Sequence, residues 1–472
     1  MGTGMQDFVA SSARAAGDKE LRRKLEHATG HHLELVAAMR ADFPAYDDER
    51  DTARKIKEAA IGRLDELLVE LKERLEANGC KVFVAARADE ARDYIVSVAR
   101  ERGARVVVKG KSMTTEEIEL NAALAKAGCD VVETDLGEYI VQIRGERPSH
   151  IITPAIHLSK EDVGATFSEK LGVPYTAEPE ALAAVARQRL RATFLGADMG
   201  VTGVNFAIAE TGTIVLIENE GNGRLTSTLP ETFVAVMGIE KVIPEVADLS
   251  HFLEILARTA TGQKLTTYVN LISGPRRDGD SDGPREVHVV ILDNGRSRML
   301  ADPVMREALY CLRCGACLNV CPVYRRIGGH AYGSTYPGPI GSIVSPSLFG
   351  PAAAQLPFAS TLCGACRDIC PVRIDIPRIL LHLRSQANED KSKEMPRWPR
   401  AAMRARAGVQ RFARLARHPR SIRMLSRLAA TVARPFARTG YMRWMPPAFR
   451  NWTRGRDFPA PRLRGRRTPR SK

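Results

Sequence analysis

The chain has 472 residues, of which 44% are hydrophobic and 26% charged, an ordinary balance for a globular protein and more than one hydrophobic core usually organises. Its net charge of +15 is unevenly placed: residues 391–472 carry 24 Lys/Arg against only Glu394 and Asp457, so residues 1–390 are mildly acidic. Nine cysteines, seven of them between Cys311 and Cys370, do not form the even pattern of a secreted disulfide framework; thiolate ligation in a reducing compartment explains them better.

Residues 17–78 read as helical, because apolar positions recur at three and four (Leu33, Leu35, Val36, Met39; then Ile61, Leu64, Leu67, Leu68, Leu71) amid dense charge. They are expected to form a structural N-terminal helical arm, residues 1–78. Arg22-Arg23 has no apolar run behind it, which argues against an export signal, and a cytoplasmic chain is expected. From Lys81 short β runs alternate with helices. Lys81–Ala85, Arg105–Val108, Cys129–Glu133 and His150–Thr153 read as strands; Asp89–Arg102 and Thr114–Ala127 read as helices. A hairpin of Asn205–Ala209 and Thr213–Glu218 turns through Glu210-Thr211-Gly212. Strands at Phe233–Met237, Thr267–Ile272 and Val287–Leu292, and a helix near Leu249–Ala260, complete an open α/β sheet domain over residues 79–298. A cysteine module follows at 299–385, and a basic, tryptophan-bearing region at 386–472.

The first cysteine motif is Cys311-x2-Cys314-x2-Cys317-x3-Cys321-Pro322. Three cysteines two residues apart let one tight loop ligate three corners of a cubane iron–sulfur cluster, while a fourth followed by proline reaches the other cluster in two-cluster ferredoxins. The second motif, Cys363-x2-Cys366-x3-Cys370-Pro371, has Ser360 where its first cysteine would stand. The paired pattern implies Cys311, Cys314, Cys317 and Cys370 on one [4Fe-4S] cluster, and Cys321, Cys363 and Cys366 on a second. That second cluster is either [4Fe-4S], with Ser360, water or a substrate on its fourth iron, or [3Fe-4S]. Two structural zinc ions would need eight ligands, and seven cysteines fit them worse. The uncharged insert between the motifs, with Tyr332, Tyr336, Phe349 and Phe358, reads first as a dry shell that tunes reduction potential and second as a docking surface.

These strings, together with Gly328-Gly329-His330-Ala331-Tyr332 and Tyr336-Pro337-Gly338-Pro339-Ile340-Gly341, resemble the lactate utilization protein B (LutB) family. Upstream, Gly110-Lys111-Ser112-Met113-Thr114-Thr115-Glu116-Glu117 and Ala209-Glu210-Thr211-Gly212-Thr213 resemble its LUD domain. The resemblance implies an α/β fold similar to sugar isomerases and CoA transferases, joined to a small α-helical ferredoxin-like dicluster domain. It implies an electron relay in a system that oxidises L-lactate to pyruvate, beside LutA-like cysteine-rich and LutC-like LUD proteins. The same seven cysteines match the family's ligands. No Gly-x-Gly-x-x-Gly fingerprint is present, so hydride chemistry is expected elsewhere.

Weaker features leave alternatives open. Lys109-Gly110-Lys111-Ser112 precedes a Thr114-x-x-Glu117 capping pattern, with anion binding as its second reading. Glu210 reads as a turn residue; in a rival hypothesis it and the Lys111 loop bind and turn over the 2-hydroxy acid. Asn219–Arg224 reads as a solvated glycine-rich turn, and Cys80 and Cys129 as inert buried thiols. The arginine-rich tail suits protein docking first, peripheral contact with an anionic membrane face second and nucleic acid last. A redox-sensing regulatory protein is a third hypothesis.

Overall fold

A computed structural model describes residues 7–389, 408, 411–433, 437–438, 441–442 and 458–459. The chain divides into two units after Met395. In the first, six parallel strands form one sheet: β1 (Lys81–Ala85), β2 (Val106–Lys109), β3 (Asp130–Glu133), β4 (Met199–Gly203), β7 (Thr232–Gly238) and β10 (Glu286–Leu292). Their spatial order is β1-β10-β7-β4-β2-β3. A second sheet, ordered β8-β5-β6-β9, contains β5 (Phe206–Ile208), β6 (Thr213–Glu218), β8 (Val242–Ile243) and β9 (Tyr268–Ile272). The antiparallel β5–β6 pair is the hairpin expected from the sequence.

Successive residues of a strand point to opposite faces. In β7 and β10, Phe233, Ala235, Met237, Val287, Val289 and Ile291 therefore enter one core, while Val234, Val236, Val290 and Leu292 enter another. Helix Ala88–Glu101 closes the second core through Ala91, Ile95 and Val98. The first core is shared by the small sheet, the N-terminal helices and the cysteine module, so the module sits on the sheet domain rather than beside it. Helix Leu64–Ala77 contributes Leu64, Leu67, Leu71 and Leu75, each at most 2% exposed. Complete burial of a leucine stabilises by about 1.5–3 kcal/mol relative to leaving it exposed.

Three expectations need correction. His150–Thr153 is not a strand, because the His150 Nδ1 accepts the Ile152 and Thr153 N–H groups at 3.1 and 3.3 Å and curls the chain. The helix expected over Thr114–Ala127 is two, Met113–Glu117 and Leu120–Lys126, broken at Glu119 with φ +54°. Strand β4 carries two glycines that hid it; a Cβ on Gly200 would lie 1.9 Å from the Thr226 carbonyl oxygen, so only glycine allows the helix Asn222–Thr228 to pack there. Helices Lys160–Leu171 and Pro179–Leu195 were also not anticipated.

In the second unit, helix Pro419–Ala433 is described, as are three two-residue strands: β11 (Ala437–Arg438), β12 (Tyr441–Met442) and β13 (Phe458–Pro459). Trp398, Trp444 and Trp452 lie outside the described residues. Among the described residues no helix is long and apolar enough to cross a membrane.

Candidate iron–sulfur site and adjoining cavity

The two cysteine motifs fold as near copies. Arg313 and Leu362 both have positive φ (+63° and +57°), as do Gly315 and Gly364 (+74° and +88°), which cap the short helices Ala316–Asn319 and Ala365–Ile369. A positive φ suits glycine and strains a side chain, so the repetition of both positions marks a loop shape held for a purpose. The Arg313 N–H donates to Cys311 Sγ at 3.3 Å, and the Leu362 N–H donates to Ser360 Oγ at 3.1 Å. Ser360 thus fills, atom for atom, the place of Cys311.

All seven cysteines are free, and Cys363 alone among them is exposed. Their mutual electrostatic contacts fall into two groups. Cys314 feels Cys311 and Cys370, and Cys317 feels Cys314 and Cys311. Cys366 feels Cys321 and Cys363. Cys317 and Cys366 connect the groups. Burial pushes the Cys366 thiol up to about 12 and the Cys370 thiol up to about 11, with neighbouring thiols adding to the rise. Such sulfurs become thiolates when a bound metal supplies the compensating charge.

The backbone is already arranged for that state. Besides Arg313, the Ile374 N–H donates to Cys370 Sγ at 3.4 Å. Ala316 serves Cys314, Ile340 serves Cys317, Val323 and Tyr324 serve Cys321, and Arg367 serves Cys366. Amide donors aimed at sulfur stabilise thiolate and tune potential, so this donor set fits iron–sulfur clusters. Ile340 lies in the first turn of helix Gly338–Phe349, inside the uncharged insert, whose Tyr332, Tyr336, Ile340 and Ile343 are at most 1% exposed. The insert is largely packed core over Cys317, as the dry-shell reading expects, while Phe358 remains 39% exposed.

The N-terminal helices also reach the cysteines. Arg50, 4% exposed on helix Tyr46–Gly62, donates to the Cys370 carbonyl at 2.7 and 3.1 Å and to the Asp368 carbonyl at 2.8 Å. Arg54 holds Glu307 and the Arg373 carbonyl at 2.8 and 2.7 Å. An Arg50→Leu chain leaves two carbonyls without their charged donor, and should be less stable by about 2–4 kcal/mol. It should also release iron to a chelator faster; urea unfolding and the chelation rate check the two halves of this expectation.

Several other sequence candidates are relocated. Lys109 is fully buried and ion-paired to Glu133 at 2.7 Å and Glu116 at 3.1 Å, so it is committed to structure and holds no anion. Ser112, not Thr114, caps the following helix by accepting the Thr115 N–H, and Glu117 instead pairs with Arg296 and Tyr336. Glu210 is exposed, accepts the Val246 N–H at 3.0 Å and stands outside the cavity, as a turn residue should. Cys80 and Cys129 are buried and their thiols meet carbonyls at 3.8 and 3.4 Å, which fits inert packing.

At the carboxyl ends of β2 and β4, where open α/β sheets bind ligands, lies a cavity of about 310 Å³. Its lining joins Lys111 and Thr202 of the sheet domain to Leu312, Arg313 and Cys314 of the first cysteine loop. The glycine-rich run expected as a solvated turn contributes Asn219, Glu220, Asn222 and Gly223 to it. Lys241, also in the lining, is 8% exposed; the sequence reading missed it, although the charged pair Glu240-Lys241 between the apolar runs Phe233–Met237 and Val242–Ile243 was a visible signal. Glu240 is held between Arg296 at 2.6 Å and Arg313 at 3.4 Å, and Arg313 lies over the Tyr336 ring at 4.4 Å. A buried ionic network therefore ties the first cysteine loop to the sheet domain.

Comparison with known proteins agrees with this division. Residues 68–292 match the LUD domain family, and residues 307–374 match the 4Fe-4S dicluster domain family. A "Lactate utilization protein B" of Macrococcus caseolyticus is 43% identical over 459 residues, covering 96% of this chain and 92% of its own length. One from Oceanobacillus iheyensis is 42% identical, covering 93% and 91%. One from Bacillus subtilis is 44% identical, covering 96% and 91%. A crystal structure of a DUF162 family protein from Deinococcus radiodurans aligns with 48% of this chain and 98% of its own at 18% identity, with a TM-score of 0.29, too low to bear on the fold.

Proposed function

The chain belongs to the lactate utilization protein B family, and from that premise we propose that it is the iron–sulfur electron-transfer component of a multi-protein system oxidising L-lactate to pyruvate. The observation that carries this reading is the gathering of seven cysteines whose electrostatic influence on one another falls into two linked groups, with backbone N–H groups directed at their sulfurs. We assign Cys311, Cys314, Cys317 and Cys370 to one [4Fe-4S] cluster, and Cys321, Cys363 and Cys366 to a second. Each cluster, when bound, accepts and releases one electron at a time.

The protein's own residues give the pair a direction. Cys314 lines the cavity, whereas Cys363 is exposed to solvent. On this reading the second group is the one a partner can approach, at the exposed Cys363. Cysteine-rich and second LUD-domain proteins of the same system are the partners we propose, in the cytoplasm, where thiols stay reduced.

The test is anaerobic purification with iron, sulfide and EPR assays, followed by L-lactate and the partner proteins. Iron and sulfide in near-equal amounts, and EPR signals that change on adding lactate with partners, are expected. Zinc in place of iron would sink the assignment, and clusters that stay oxidised in the complete system would sink the relay role.

A further inference from the structure

The cavity between the sheet domain and the first cysteine loop has three carboxylates and three cations in its lining, yet their hydrogen-bonding capacity is used unequally. Glu218 accepts the Gly223 and Arg224 N–H groups at 2.6 and 2.7 Å and the Asn270 amide at 3.0 Å. Asp135 caps a helix through the Gly137 and Glu138 N–H groups, and Glu220 accepts the Leu136 N–H at 3.1 Å. The acids are engaged by the protein itself. Among the cations, Lys111 donates to the Ile152 carbonyl at 2.7 Å, and Arg313 is bound to Glu240 and stacked on Tyr336.

Lys241 differs. It is buried, it lines the cavity, and its ammonium makes no hydrogen bond or ion pair among the described residues; burial lowers its pKa to about 8, and the attracting charges near it are Glu240, which is already held by Arg296, and Cys311. A buried ammonium with no hydrogen-bond acceptor is costly, and side chains are kept in that condition where a ligand completes them. The unused capacity of the cavity is therefore cationic and donor-rich: the Lys241 ammonium with three N–H donors, and in the same lining the Arg313 Nη1 and Thr202 Oγ1 atoms, both buried without a partner among the described residues. Leu256, Ala257 and Ala260 supply apolar wall for an organic body. The three carboxylates in the same lining favour a monoanion over a dianion such as phosphate.

We propose that this cavity binds a small 2-hydroxy or 2-oxo carboxylate, its carboxylate anchored on Lys241 and its body lying against the loop that carries Cys311 and Cys314. The identity of the acid as lactate or pyruvate rests on the lactate-oxidation reading above; the anion site itself rests on the cavity. The bound acid would lie beside the first cysteine group, at Cys311 and Cys314.

The test is isothermal titration of the full, anaerobically purified chain with L-lactate, pyruvate and inorganic phosphate in turn. Saturable 1:1 binding of L-lactate or pyruvate is expected, weakened about tenfold or more in Lys241→Met, the scale of one charge-assisted hydrogen bond. Iron content and visible circular dichroism should be unchanged in that variant, and Glu210→Gln, outside the cavity, should bind as wild type does. Should Lys241→Met lose its iron, Lys241→Gln keeps a neutral donor and must weaken binding in the same direction. No carboxylate binding by the iron-loaded chain, equal binding by the Lys241 variants, or phosphate bound as tightly as the carboxylates would each overturn the proposal. A chain that binds no carboxylate but is still reduced by its partners would leave the electron-transfer reading standing, so the two failures are distinguishable.

Discussion

A Cys314→Ala chain, purified without oxygen, is expected to carry about half of the wild-type iron and sulfide, and Cys366→Ala the other half. Cys314 is in electrostatic contact with Cys311 and Cys370, whereas Cys366 is in contact with Cys321 and Cys363, so each substitution should empty one group and spare the other. The chain should survive either change, because the module is held by more than metal. Ile340, Ile343, Val344 and Ile379 are buried in the shared core, and Arg50 and Arg54 clamp the Cys370 end from the N-terminal helices. EPR should then separate the signals, since the residual spectra of the two variants should sum to that of wild type. Both variants should lose transfer from lactate to acceptor by at least tenfold, because a relay of two stations stops when either is absent. Iron lost wholly in both variants would mean that the seven sulfurs form one inseparable site, against the assignment made above.

What the residues disclosed by spacing alone was local. The Cys-x2-Cys-x2-Cys-x3-Cys-Pro run determines a loop of its own, and the short apolar runs of β7 and β10 announce buried strands, because both signals are contained in a few neighbouring residues. The parts that escaped depend on distant partners. Arg50 looks like any charge on a solvated helix until the fold carries it to a carbonyl 320 residues away in sequence. His150–Thr153 has the β-branched composition of a strand, but the imidazole of its own first residue captures the following N–H groups. Strand β4 is obscured by glycines whose value is visible only when the Thr226 carbonyl stands against Gly200. Lys109 was legible as a cation at a strand end; its commitment to Glu133 and Glu116 was not, since those acids come from a strand and a helix that only folding brings together.

The near-identity of the two loops leads to the second large expected effect, in Ser360→Cys. The backbone around Ser360 already has the shape that surrounds Cys311: a positive φ two residues on, a left-handed glycine four residues on, and an N–H donating to the γ atom. A sulfur placed there needs no new loop. Arg384 donates to the Ser360 carbonyl at 3.1 Å and to that of Pro357 at 2.8 Å, which fixes the segment independently of the side chain. Serine oxygen is a harder and far less acidic ligand than a thiol, so a four-iron second cluster on the proposed assignment would have its weakly held corner at Ser360. Exposure of the wild-type chain to air should therefore release iron from the second group and produce the EPR signal of an oxidised three-iron species. Ser360→Cys should slow that loss about tenfold or more, the range by which single changes near a metal alter its retention. The four-cysteine first group should behave alike in both chains. An unchanged rate of iron loss would show that this corner does not face residue 360, and a wholly metal-free second group would show that a sulfur cannot be accommodated there. On the proposed assignment the serine would leave the second cluster open to a ligand from outside, and closing it should exchange that openness for resistance to oxygen.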